Sequence, residues 1–148
     1  MKIVSLNKKL IDAFSIDPEM LKKITRPFVI ILNLQFRGVK REFAVPLRSN
    51  ISASTPKEQY YSLPPRCTTL PNNKHGIHYL KMVPVQNVFF RKYIINDDYT
   101  KMIVNIINKN TKTIVTGCQC YLDRYTNFGK PQYATNIDML ITVLENLK

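Results

Sequence analysis

The sequence predicts an α+β domain, an antiparallel sheet backed by helices. Three observations carry that expectation: a near-continuous apolar run at Phe28–Leu34, an alternating segment at Lys40–Leu47, and three apolar stripes of helical period in the last third of the chain. At 148 residues the chain has the size of one domain, 1–148, with no repeat, low-complexity stretch or linker to divide it.

The first residues read as a short strand near Lys2–Ser5 followed by helical turns. Asp17, Pro18 and Glu19 have the order of a helix start: a capping acid, a proline at the first position, then an acid near the positive end. The run FVIILNL is of strand length, and its continuity predicts cover on both faces. Arg37-Gly38 supplies a turn. In KREFAVPL, Phe43, Val45 and Leu47 fall on one side and Lys40, Glu42 and Ala44 on the other. IHYLKMVPV (Ile77–Val85) is a further strand candidate, with Lys81 on the face of Ile77, Tyr79 and Val83.

Between these strands runs a long connection, Ser49–His75, with prolines at 56, 64, 65 and 71. Thr55-Pro56-Lys57-Glu58 has capping-box spacing and predicts a short helix through Tyr61. Toward the C-terminus, Tyr99, Met102, Ile103, Ile106 and Ile107 form one helical stripe, and Ile114, Cys118, Tyr121, Leu122 and Tyr125 a second. A last helix aligns Ile137, Leu140, Ile141, Leu144 and Leu147, capped by Thr135 or Asn136, after a gap punctuated by Gly129 and Pro131.

Charge separates the chain into parts. The net charge is +12, yet residues 1–21 sum to zero and residues 93–148 to +1. Residues 22–92 carry thirteen basic side chains against Glu42 and Glu58. A merely solubilising surface intersperses signs; a concentrated excess suits a phosphate polymer. The absence of a basic amphipathic helix argues against an anionic membrane, and the near-neutral helical third against a DNA-recognition helix. No apolar stretch approaches the ~18 residues of a membrane helix, and Asn7, Lys8 and Lys9 interrupt any signal-peptide core, so a cytoplasmic location is expected. Cys67, Cys118 and Cys120 are sparse and lack CxxC spacing, as for reduced thiols.

No phosphate-cradling, dinucleotide or zinc-protease motif is present, and ten scattered acids do not make a two-metal centre. Cys67, His75 and His78 lack diagnostic metal spacing, so no metal or other cofactor is expected. What remains is basic and hydroxyl chemistry. Metal-free RNA cleavage needs a base for the 2′-hydroxyl, cations for the phosphorane, and an acid for the leaving oxygen. If the strands flanking Arg37-Gly38 pair antiparallel, Arg26 comes near Arg48, Ser49 and Asn50, a cluster suited to a phosphate. The rival reading makes Ser49 and Asn50 turn residues and the arginines solvated. Tyr60 and Tyr61, in the long connection, are candidates to stack on unpaired bases; Phe36, Tyr79 and Phe89 suit the core better.

Three blocks, RPFVIILNLQFRGVKREFAVPLRSNI, HGIHYLKMVPV and YLDRYTNFGK, resemble in the same order the toxins of RNA-antidote (type III) toxin–antitoxin systems, the group of ToxN, AbiQ, CptN and TenpN. The resemblance implies a compact MazF-like fold and a metal-independent, sequence-specific endoribonuclease that leaves 2′,3′-cyclic phosphate ends. It also implies a folded repeat-RNA antitoxin that the toxin processes, a closed protein–RNA assembly, and a role in growth arrest and phage defence. The family's turn serine falls on Ser49, the hydroxyl residue before it on Arg48, and a lysine before the first core strand on Arg26. A lysine two positions after the serine falls on Ile51, leaving Lys40, Lys57 and His78 as alternatives for proton transfer. Arg37, Arg41, Lys74 and Lys81, with Lys57, Tyr60, Tyr61 and His78, complete the expected RNA-binding set. The competing class is a non-catalytic basic RNA-binding module.

Overall fold

A computed structural model describes residues 1–147. The strands are β1 (Lys2–Leu6), β2 (Phe28–Phe36), β3 (Val39–Ile51), β4 (Tyr60–Leu63), β5 (Lys74–His78), β6 (Val83–Pro84) and β7 (Phe90–Lys92). The helices are α1 (Lys8–Phe14), α2 (Asp98–Lys109), α3 (Thr111–Phe128) and α4 (Ile137–Glu145). All strand pairs are antiparallel, in the order β4-β5-β3-β2-β1-β7, with β6 also pairing β3. The architecture is the α+β arrangement expected.

The β2–β3 hairpin organises everything else. Its turn needs two residues of positive φ, and Arg37 (51°) and Gly38 (77°) supply them, the form whose twist matches the flanking strands. Strand β2 is covered on both faces: Val29, Ile31, Leu34 and Phe36 face the core under α2 and α3, while Phe28 and Ile30 face a second core with α1 and α4. Beyond Ile31 the cover is incomplete, with Leu32, Asn33 and Gln35 exposed. A bulge between Ile31 and Leu34, with Asn33 at φ 61°, turns Leu32 out to solvent.

Three local expectations are overturned. Asp17 starts no helix; it is buried, and its carboxylate accepts N–H groups from Glu19 (2.9 Å) and Asn136 (2.7 Å), joining the loop after α1 to the start of α4. The span Ile77–Val85 is not one strand: a single 3₁₀ turn at Tyr79–Lys81 separates β5 from β6. Tyr79 therefore packs in the first core and Val83 in the second. Between them, Lys81 is buried, bonded to Glu19 (3.0 Å) and the Tyr133 carbonyl (2.7 Å). The helix expected from Thr55 through Tyr61 is one 3₁₀ turn, Lys57–Gln59, because Tyr60 and Tyr61 are paired with His78 and Ile77 in the sheet. Helix α4 is capped as expected by Asn136, whose side chain accepts from the Met139 N–H (3.1 Å).

Candidate phosphate site at the open end of the hairpin

Antiparallel pairing carries Arg26 to the end of β3. The Leu47 N–H donates to the Pro27 carbonyl (3.0 Å), and Arg26 Nη1 donates to the Leu47 carbonyl (3.1 Å). On the other edge of β3, Arg48 sits opposite Gly76 of β5. A Cβ at Gly76 would lie 2.3 Å from the Tyr61 carbonyl oxygen, so only glycine lets β4 approach this closely. Residues two apart share a face of a strand, which places His78 on the side of Arg48. Arg48 Nη1 lies 3.3 Å from His78 Nδ1.

Arginine can only donate, so Nδ1 is the acceptor and the His78 proton sits on Nε2. That Nε2 is buried without a hydrogen-bond partner, as is Arg26 Nε. Burial first, then the charges of Arg48, Lys81 and Arg26, push the His78 imidazole down to about 3. Burial and Arg48 lower the Arg26 guanidinium, and burial lowers that of Arg48. Among the described residues the one carboxylate paired with a member of this set is Glu19, which holds Lys81. Arg26 and Arg48 thus face each other half-buried around a neutral imidazole with no anion between them. That arrangement is costly unless an anion completes it.

The remaining expected residues divide. Ser49 lines an open cleft of about 500 Å³ beside Arg26. Asn50 is spent on structure: its amide donates to the Thr68 carbonyl (3.0 Å) and its oxygen accepts from the Leu70 N–H (2.8 Å) and from Asn73 (3.4 Å), which holds the loop before β5. Lys40 pairs with Gln35 next to the turn, at the far end of the hairpin from Ser49. Arg37 donates twice to Asp138 (2.8 and 2.9 Å) and lies over the Phe36 ring, and Arg41 meets Glu145 at 3.7 Å. Lys57 and Lys74 are exposed. Tyr60 stands opposite His78 and stays half-buried, whereas Tyr61 packs against the main core. Ile51, where the resemblance expects a lysine, is fully buried.

Sequence reasoning passed over Arg66 and Tyr93, which line the cleft, and treated His75 only as a metal donor. Cys67, His75 and His78 do not gather: no group of three metal-capable side chains exists among the described residues. Instead His75 Nδ1 lies 2.8 Å from the Pro64 carbonyl and 2.7 Å from the Tyr99 hydroxyl. All three cysteines are free. No helix among the described residues is long and apolar enough to cross a membrane.

No family model and no curated protein matches the sequence. Solved structures do resemble the fold. One, of a bacterial antiviral system regulated by a processed non-coding RNA, is 18% identical with a TM-score of 0.71, over 99% of this chain and 98% of that one. Another, of a bacterial type III toxin–antitoxin system with selective toxin inhibition by a non-coding RNA pseudoknot, is 16% identical with a TM-score of 0.72, over 98% and 96%. A third is AbiQ, a lactococcal anti-phage endoribonuclease of the type III toxin–antitoxin class, 10% identical with a TM-score of 0.73, again over 98% and 96%. From end to end, this chain has the fold of those three proteins.

Proposed function

We propose that the protein is the toxin of a type III toxin–antitoxin system, a metal-independent endoribonuclease of the cytoplasm, held inactive by a folded RNA antitoxin and acting in growth arrest and phage defence. The carrying observation is the pair of half-buried guanidiniums, Arg26 and Arg48, with no carboxylate between them, and Ser49 in the cleft beside Arg26. The near full-length likeness to toxins of that class supports the same reading. Its partners are the RNA antitoxin, in a closed protein–RNA assembly, and cellular or phage RNA.

In this reading the scissile phosphodiester sits between Arg26 and Arg48, with the Ser49 hydroxyl orienting it. The 2′-hydroxyl gives up its proton as its oxygen attacks phosphorus, the P–O5′ bond breaks and the leaving 5′-oxygen takes up a proton, so the products are a 2′,3′-cyclic phosphate and a 5′-hydroxyl. The extra negative charge of the phosphorane is where fixed guanidiniums count most. His78 is the titratable group bonded to Arg48, so it is the candidate proton carrier. An anion would offset the charges of Arg48, Lys81 and Arg26, the smaller causes of its lowered pKa, and so raise it, while the burial that contributes most stays. Asn50 and Lys40 have no part, since one holds a loop and the other lies at the opposite hairpin end.

The burial of His78, 3% exposed, favours a second reading in which the cluster grips phosphates without cutting. Incubation with bacterial RNA in EDTA separates the two. New ends bearing 2′,3′-cyclic phosphates, lost in Ser49→Ala, are expected; intact RNA after long incubation at high protein concentration leaves a binding module.

A further inference from the structure

We propose that His75 is the general base of the cleavage step, its Nε2 taking the proton of the attacking 2′-hydroxyl. The proposal rests on the nuclease reading above and names the residue that starts its chemistry.

The sheet sets His75 beside Ser49. Leu47 of β3 stands opposite Ile77 of β5, and two residues further along, on the same face, come Ser49 and His75. Both line the cleft that Arg26 also lines. The ladder shifts register between Arg48 and Ile51, a bulge of the kind that re-aims side chains next to active sites.

The ring is held as a proton acceptor must be. His75 Nδ1 lies 2.8 Å from the Pro64 carbonyl and 2.7 Å from the Tyr99 hydroxyl, which itself donates to that carbonyl (2.6 Å). A carbonyl can only accept, so Nδ1 carries the ring proton and Nε2 keeps its lone pair. Among the described residues Nε2 has no hydrogen-bond partner, and unlike Nε2 of His78 it is not sealed from solvent. When Nε2 takes a proton, the Pro64 carbonyl and the Tyr99 oxygen stabilise the imidazolium that forms.

The surroundings keep the ring neutral. Burial first, then the Arg66 charge, lower the His75 imidazole from its ordinary 6.5, against the Pro64 bond that raises it. Tyr93 shares the cleft with the cations Lys23, Arg26, Arg91 and Lys92. Its one acid, Asp97, is engaged elsewhere: both oxygens accept from Thr100, from the N–H (2.6 Å) and the hydroxyl (2.9 Å), capping α2. The proton-accepting form therefore prevails at pH 7.

In-line displacement sets the entering and leaving oxygens on opposite sides of phosphorus, so two groups serve the two proton transfers. His75 and His78 lie on opposite faces of β5, one in the cleft with Ser49 and the other against Arg48. In the step, the 2′-hydroxyl proton passes to His75 Nε2 as the 2′-oxygen bonds to phosphorus. The P–O5′ bond breaks, and the leaving oxygen takes a proton from the imidazolium form of His78. Proton exchange with water then returns both rings to their starting state.

The test is cleavage of an RNA carrying a site mapped in bacterial RNA. His75→Ala should lower kcat by about 10²-fold or more with KM within about threefold, the usual scale of losing a general base. Added imidazole, small enough for a cleft of about 500 Å³, should restore part of the rate, which a purely structural loss would not allow. Sulfur at the 5′-bridging position makes a leaving group that needs no proton, so it bypasses a missing acid but not a missing base. His75→Ala should stay slow on that RNA. In wild type, the acid limb of kcat/KM should lie below pH 6.5 and move to higher pH in Arg66→Ala, which removes a charge that keeps the ring neutral. The limb decides even where His75→Ala fails to fold. An unchanged rate in His75→Ala, no gain from imidazole, recovery on the sulfur-bridged RNA, or a limb that Arg66→Ala leaves in place overturns the assignment to His75 alone. Wild-type protein that never cleaves RNA overturns the nuclease reading itself, and His75 with it.

Discussion

The two ends of the β2–β3 hairpin carry the same kind of side chain in opposite electrostatic settings. At the turn end, Arg37 and Arg41 each meet a carboxylate of α4, Asp138 and Glu145. At the open end, Arg26 and Arg48 meet a backbone carbonyl and a neutral imidazole. Both ends belong to one basic stretch, so charge counting treats them alike. What separates them is which neighbouring element arrives. Helix α4 brings acids to the turn; β5 brings His78 and the route to Lys81 to the open end. An arginine already paired contributes to holding the fold, whereas one without a counter-ion is ready for a phosphate.

Activity should break the comparison most sharply. Arg48→Ala or Arg26→Ala is expected to slow RNA cleavage by about 10²–10³-fold, the usual effect of losing one donor to transition-state charge. Arg37→Ala and Arg41→Ala should stay within about threefold of wild type. Single-turnover rates measure all four, and equal losses at both ends would end the distinction.

Acid should come next. His78 has a folded pKa of about 3, below the 6.5 of the unfolded chain. Above pH 6.5 both states are neutral there; below it, the unfolded chain takes up a proton that the folded one refuses. Stability is therefore lost as pH falls from 6.5 toward 3, by about 2 kcal/mol at pH 5. His75, also lowered by burial, adds loss of the same sign. Melting temperatures between pH 8 and pH 5 should fall less in His78→Gln than in wild type; identical slopes would show that the open end carries no such tension.

The smallest effect is a slope. Replacing Arg48 should reduce the dependence of log binding constant on log salt by about 0.7 for single-stranded RNA, while replacing Arg37 should leave it unchanged. Titrations of an uncleavable oligonucleotide at several salt concentrations would show whether Arg37 gives up Asp138 for a phosphate.

Much of the fold was legible because it rests on local patterns. The apolar run of β2, the alternation of β3 and the stripes of α2, α3 and α4 each report burial along one element, with errors where a long-range partner intervenes. Asp17 read as a helix start because its neighbours in sequence fit one, yet its carboxylate serves the N–H of Asn136. Tyr60 and Tyr61 read as loop aromatics, but β4 pairs with β5 across a long connection that carries no periodic signal. The site was half legible. Arg26 and Arg48 follow from pairing across a two-residue turn, which alternation alone predicts. Asn50 gave no hint of its loop bonds, since an Asn after a strand suits a turn or a ligand equally.

By itself, the sequence determined the fold class, the hairpin at Arg37-Gly38 and the concentration of positive charge in residues 22–92, because these depend on side-chain type and spacing along one segment. Tertiary structure alone decided which cations stay free. It sent the acids of α4 to one hairpin end, buried Ile51 where a lysine was expected, set His78 against Arg48, and opened a cleft beside Ser49. Whether a charge is neutralised depends on what lies within about 4 Å of it, and that distance is settled by packing among elements far apart in the chain.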